Sequence, residues 1–151
     1  MITIDEFKKK LSNGSRLLGI DLGTKRIGIS ISDYNQKIAT PLQTLEKSKQ
    51  VKFIDELESI IEENDIKGII VGNPINMNGT YGKSSQSAKD TAINISNKFN
   101  IPVSLWDERL STVGAFNLSS ELDVNVSKRE KDIDKFAAAF ILQGALDFIQ
   151  N

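Results

Sequence analysis

Short apolar runs and longer stretches of helical spacing take turns along this chain, and their order is the first guide to its fold. Asp5 to Leu11 reads as a short helix, stopped by Asn13-Gly14. Leu17-Leu18-Gly19-Ile20 begins a buried strand ending near Asp21. After the turn Gly23-Thr24-Lys25, Arg26 to Ser32 alternates apolar with small polar residues as a second strand does. A turn at Tyr34-Asn35-Gln36 leads to a third strand, Ile38 to Leu45, where Pro41 indicates an edge position. Val51, Ile54, Leu57 and Ile61 recur at helical spacing between about Ser48 and Asn64. Gly68 to Gly72 is all apolar or glycine, as in a central parallel strand. Ser84 or Ser85 is placed to cap a helix reaching Phe99, and Pro102 to Trp106 forms a fifth strand. Ser111 or Thr112 opens a helix to about Leu118, residues 119 to 130 read as mobile, and a last helix runs from about Asp132 to Ile149. Phe136, Ala137, Ala138 and Phe140 are its expected packing face.

Three strands in meander, then helix, strand, helix, strand and a closing helix predict a mixed five-stranded α/β sheet. Neither an internal repeat nor a linker divides the pattern, so residues 1–151 are expected to form a single domain, with residues 1–14 as an N-terminal helical extension. The first residues carry acids and lysines where a secretory signal would need its apolar stretch, and no run approaches the roughly 20 apolar residues of a membrane span. A cytoplasmic protein is expected.

Composition narrows the chemistry more than the fold. The chain has no cysteine and no histidine. Thiolate catalysis, serine–histidine relays and histidine or cysteine metal sites are excluded together. A metal here would have only oxygen ligands, which selects magnesium, manganese or calcium. The net charge of −1 argues weakly against a nucleic-acid partner. Its distribution softens that objection: Asp55, Glu56, Glu58, Glu62, Glu63 and Asp65 crowd one predicted helix. Lys25, Arg26, Lys83, Arg109, Lys128, Arg129 and Lys131 lie in or beside predicted loops, where local charge can grip phosphates.

Three acidic positions stand where elements should point into one crevice. Asp21 lies between Ile20 and Leu22 at the end of a strand, a costly place for a charge without a metal or cation, although it could instead organise the following turn. Asp107-Glu108 follows the fifth strand, at the carboxyl edge where open α/β sheets gather ligands. Alternation sends these two neighbours to opposite faces, so one of them is expected in the site. Asp132 and Asp134 are expected in the first turn of the last helix, where acids offset the macrodipole. Asp134, three residues before Ala137-Ala138, is on the side that packs near the sheet, and Asp132 on the solvent side. Carboxylates converging this way raise one another's pKa unless a cation binds. Two divalent ions about 4 Å apart would suit phosphodiester cleavage without histidine. Gly23-Thr24-Lys25-Arg26 and the loop Gly72 to Thr80 offer backbone amides and cations for phosphate, and Arg109 has a fork that fits phosphate oxygens.

Gly19-Ile20-Asp21-Leu22-Gly23-Thr24-Lys25-Arg26-Ile27-Gly28 closely resembles the opening motif of the YqgF/RuvX family. Ile70-Val71-Gly72, Pro74, Asn76-Met77-Asn78-Gly79-Thr80, Asp107-Glu108-Arg109-Leu110-Ser111-Thr112, Ile133-Asp134, Ala137-Ala138 and Ile141-Leu142-Gln143 continue the resemblance in order. It implies a ribonuclease H-like fold and a nuclease, described both as a Holliday junction resolvase and as an enzyme processing the 5′ end of pre-16S ribosomal RNA. It implies catalytic and metal-holding roles for Asp21, Glu108 and Asp134, choosing Glu108 over Asp107. Substrate contacts are expected from Thr24, Lys25, Arg26, Asn76, Gly79, Arg109 and Ser111, with two Mg²⁺ or Mn²⁺ ions as cofactors. The expected partners are nucleic acid, pre-rRNA ahead of branched DNA, and pre-ribosomal particles, with the chain a monomer or a homodimer and no membrane. Asn73, Asn78 and Gly114 depart from the family pattern. Asp-x-Gly-Thr also opens the phosphate loop of actin-like phosphotransferases, and a non-catalytic RNA-binding assembly factor is a further alternative.

Overall fold

The computed structural model describes residues 1–23, 25–47, 50–74, 78–79, 82–110 and 126–151, and in the last helix the side chains from residue 134 onward. Its elements run α1 (Ile4–Lys10), β1 (Arg16–Leu22), β2 (Arg26–Ser32), β3 (Ala39–Glu46), α2 (Gln50–Glu63), β4 (Ile66–Asn73), α3 (Lys83–Phe99), β5 (Val103–Asp107), a 3-10 turn (Glu108–Leu110) and α4 (Val126–Gln150). The strands form one sheet in the order β3-β2-β1-β4-β5. β1–β2 and β2–β3 are antiparallel, β1–β4 and β4–β5 parallel. The mixed sheet expected from the sequence is therefore the observed one.

Each strand's burial follows from its place. β1 and β4 lie in the middle with helices on both faces, so Leu17, Leu18, Ile20, Ile69, Ile70 and Val71 are all buried without alternation. β3 is an edge strand and largely half-exposed. Pro41 faces an irregularity in the register between Ile29 and Ser30, where a missing N–H is tolerated. Two cores result. Leu18, Ile20, Ile29, Ile69 and Val71 pack with Phe53, Leu57 and Ile95 under α2 and α3. Leu17, Ile70 and Trp106 pack with Phe7, Ile141, Leu142 and Leu146 under α1 and α4.

Several expectations need correction. In α2, Val51 is 73% exposed, while Ile54, Leu57 and Ile61 pack on the core as expected, joined by Phe53 and Ile60. The helical period was legible, but Val51 sits at the solvent-facing end of the first turn. α3 begins at Lys83 after Gly82, so neither Ser84 nor Ser85 caps it. Ser85 is instead buried against β4, where its hydroxyl donates to Asn73 Oδ1 at 2.6 Å. Phe136 is 40% exposed, while Ala137 and Ala138 are buried as expected. α4 begins at Val126, about two turns earlier than expected. Asp132 and Asp134 therefore lie well inside the helix, beyond the reach of its N-terminal dipole charge. The expected helix at 111–118 lies outside the described residues. Among the described residues no helix is long and apolar enough to cross a membrane.

Candidate active site

Pleating sends Leu17, Gly19 and Asp21 of β1 to the α4 face of the sheet. On β5 and its extension, Trp106 and Glu108 share that face. Asp21 and Glu108 are separated by β4, whose residue at this level is Gly72. A Cβ built on Gly72 would lie 3.2 Å from Glu108 Oε1 and 2.5 Å from Ile141 Cδ1. The missing side chain is what lets the Glu108 carboxylate lean across β4 and hydrogen-bond to Asp21.

The third acid arrives by another clearance. Asp21 pairs with Gly28 across the β1–β2 ladder. A Cβ on Gly28 would stand only 1.9 Å from the backbone carbonyl oxygen of Asp134. α4 thus rests directly on β2 one strand away from Asp21. Ser30 Oγ, which donates to the Ala138 carbonyl at 2.7 Å, pins the next turn. Residues 113 positions apart in sequence are brought together by two glycines and one hydroxyl.

Electrostatics separate these acids from their neighbours. Burial is the chief cause that pushes the Asp21 carboxyl up to about 8 from 3.8, followed by the charge and hydrogen bond of Glu108 and the charge of Asp134. Burial also raises Glu108, against the lowering effect of its bond with Asp21. Burial and their mutual contact thus favour protonation of the pair. Asp107, on the opposite face, behaves in the reverse way. Its carboxylate takes Arg109 Nη2 at 2.7 Å, Nε at 3.1 Å and the Arg109 backbone N–H at 2.9 Å, and these bonds hold it below the usual carboxylate range.

Two of the cations expected on phosphate, Arg26 and Arg109, are engaged within the protein. Arg26 Nε meets Asp134 Oδ2 at 2.8 Å. Arg109 grips Asp107 and lies 3.7 Å from the position a Cβ on Gly79 would take, so the Gly79 turn adjoins it. Lys25 follows Gly23 in the β1–β2 turn, and its carbonyl accepts from Lys47 N. Thr24, Asn76 and Ser111 lie outside the described residues, as do the side chain of Asp132 and the departing residue Gly114. Convergence of the acids is partial: Asp21 and Glu108 touch, and Asp134 acts on Asp21 by charge while bonding Arg26. Among the described residues no three such carboxylates are gathered into a ready metal cage. The touching pair nonetheless fits a hard cation, because two half-buried carboxyls in contact are oxygen donors lacking a counter-charge.

Sequence reasoning named the acids but missed Gly72, Gly28 and Ser30, which position them. Their one signal was small residues at intervals on strands otherwise rich in isoleucine.

A family model described as RuvX, Holliday junction resolvase, matches residues 15–148. The chain is 63% identical over its full length to the full-length "Putative pre-16S rRNA nuclease" of Pelagibacter ubique. It is 42% identical to the protein of that name from Ruegeria pomeroyi, over 99% of this chain and 97% of that one. Among solved structures, Thermus thermophilus RuvC in complex with a Holliday junction substrate superposes with a TM-score of 0.58 at 13% identity, covering 91% of this chain and 96% of that one. The yeast mitochondrial Holliday junction resolvase Ydc2 gives 0.51 at 13% identity, over 97% and 84%. These two likenesses show a ribonuclease H-like fold. Members of such nuclease families generally use divalent metals. With nearly its whole length matched, this chain belongs to the RuvX family of nucleases, hydrolases of phosphodiester bonds.

Proposed function

We propose that this chain is a cytoplasmic, metal-dependent endonuclease that trims the 5′ end of pre-16S ribosomal RNA, acting as a single domain over residues 1–151. The observation that carries the reading is the buried contact between Asp21 and Glu108, with Asp134 close enough to act on Asp21. Asp21, Glu108 and Asp134 would hold the divalent ions, Mg²⁺ or Mn²⁺, two in number. Bound there, such ions lower the pKa of an attacking water and neutralise charge developing on the leaving oxygen. Asp21 must give up its proton for the site to load, so the acid pair is a store of negative charge awaiting a cation. Arg26 keeps Asp134 aimed at the sheet and neutralised until substrate and cation enter. Lys25, Arg109 and the Gly79 turn would offer cations and amides to phosphate oxygens, and Thr24, Asn76 and Ser111 are the further substrate contacts this reading assigns. The relatives' name supports the RNA substrate.

Purified protein with Mg²⁺ or Mn²⁺ is expected to cut a 16S precursor carrying its 5′ leader, and Asp21→Asn is expected to stop cleavage with folding retained by circular dichroism. Failure of the wild type to cut that RNA under either metal overturns the reading. The family description favours branched DNA as a second substrate. A four-way junction assayed beside the precursor distinguishes the two.

A further inference from the structure

On the sheet face opposite Asp21 and Glu108, the carboxyl ends of β4 and β5 meet the first turns of α3. A cavity of about 440 Å³ opens there, lined by Met1, Asn73, Ser85, Gln86, Lys89 and Leu105. Asn73 is only 8% exposed. Its Oδ1 accepts from Ser85 Oγ at 2.6 Å, which fixes the amide plane. Its Nδ2 has no hydrogen-bond partner among the described residues, and the side chain lines the cavity. Gln86 also lines the cavity, with one Nε2 N–H held by Asp90 Oδ1 at 2.9 Å. Leu105 supplies a half-buried apolar wall, and Lys89 a cation at the exposed rim.

We propose that this cavity receives one unpaired nucleobase of the substrate strand, with Asn73 on the base edge and Lys89 on an adjoining phosphate; the proposal rests on the nuclease reading. A carboxamide carries a donor and an acceptor side by side, the pattern that base edges present, and adenine N6 and N7 match it. Leu105 and the Met1 side chain offer a surface for the flat base face. The volume is in the range of small-molecule pockets and suits one nucleotide. Position supplies the link to catalysis. Asn73 is the residue after Gly72, on which the Glu108 carboxylate rests, and the pleat turns these neighbours to opposite faces. A strand passing over the carboxyl edge of β4 with its phosphate at Glu108 reaches Asn73 with the next base. A base stacked inside a duplex cannot enter, so the enzyme selects substrates with an unpaired nucleotide flanking the cut.

The test titrates the full chain with 5′-AMP and, separately, ribose 5-phosphate, watching the Asn73 side-chain amide by ¹H–¹⁵N NMR. Saturable movement with AMP and none with ribose 5-phosphate is expected. Asn73→Asp, which still accepts from Ser85 but lacks the N–H pair, should weaken AMP binding at least about fivefold. In cleavage assays the same variant should raise KM about tenfold with kcat within twofold. An abasic nucleotide beside the cut should raise the wild-type KM equally and leave the variant unchanged. An amide that AMP does not move, or that ribose 5-phosphate moves as far, overturns the proposal. So does an abasic substrate cut with normal KM. If the wild type cuts no nucleic acid, the nuclease reading fails on its own, and the AMP titration still decides the cavity.

Discussion

Asp107 and Glu108 are adjacent in sequence, identical in charge and opposite in fate. Asp107 points to the α3 face, where three N–H groups of Arg109 surround it and hold it ionised. Glu108 points to the α4 face, where its nearest polar partner is another carboxyl and burial drives both towards protonation. One acid has its counter-charge built in, and the other is left to find one from outside. A satisfied ion pair at the surface is structure, whereas an unsatisfied buried pair at a strand edge is a site.

Removing one member of each pair breaks the comparison most sharply. Asp21→Asn is expected to lower kcat on the order of 10³-fold, equivalent to about 4 kcal/mol of barrier. Asp107→Asn should cost less than about tenfold, because it loosens Arg109 and removes from the acid pair only the minor charge effect of Asp107 on Glu108. Cleavage rates under saturating Mg²⁺ measure both, and equal losses would erase the distinction.

Next in size is the clearance that brings the helix to the sheet. Gly28→Ala sets a methyl group against the Asp134 carbonyl, backbone against backbone, with no flexible side chain able to yield. A loss of about 3 kcal/mol is expected, or roughly 6–12 °C in Tm for a domain of this size. Activity should fall beyond what unfolding explains, since Asp134 moves with its turn. Thermal denaturation with a parallel rate at a temperature where both proteins are folded separates the two effects.

Those two glycines also mark where the sequence stopped being readable. Element order survives in the chain because hydrophobic period is local: β1, β2, β4 and β5 were visible as strands from their own residues. Asp21 stood out as a charge among isoleucines and leucines. Gly28 and Gly72 did not, because the meaning of an absent side chain depends on what passes over it, and Asp134 passes over Gly28 from 106 residues away. Alternation said that Asp107 and Glu108 must part but not which faces the site; that is set by the register of β5 on β4. The start of α4 was missed because Val126 to Lys131 is nearly all polar and carries no apolar stripe. Arg26 read as a phosphate contact because its partner Asp134 is invisible from the motif around it.

Smaller effects follow from the protonation of the acid pair. A carboxyl whose folded pKa exceeds its unfolded value adds stability at acid pH and loses it as pH rises between the two, here from about 3.8 to about 8. In chelator at pH 8, Asp21→Asn should therefore be more stable than wild type, and at pH 4 the two should match. Divalent ions reverse the wild-type trend, since loading expels the proton: the rise in Tm with Mg²⁺ should grow as pH climbs towards 8 and be absent in Asp21→Asn. A Mg²⁺ shift independent of pH would detach the cation from this pair.

The least effect is expected where the two kinds of pair meet, at Arg26 and Asp134. This bond has a built-in cation like Asp107–Arg109, yet its acid neighbours the unsatisfied pair. Both side chains are about one-fifth exposed, so solvent screens the contact, and Arg26→Gln should cost under about 1 kcal/mol of stability. Its informative consequence lies in metal affinity. Arg26 competes with any cation for Asp134, so the variant should reach half-maximal Mg²⁺ stabilisation at an about two- to threefold lower concentration. If Arg26 also meets phosphate once substrate displaces Asp134, KM for nucleic acid should rise in the same variant. A tighter metal with a looser substrate would identify Arg26 as the residue that passes from carboxylate to phosphate. A loss of metal affinity instead would mean that the guanidinium is needed to hold Asp134 in reach of the site.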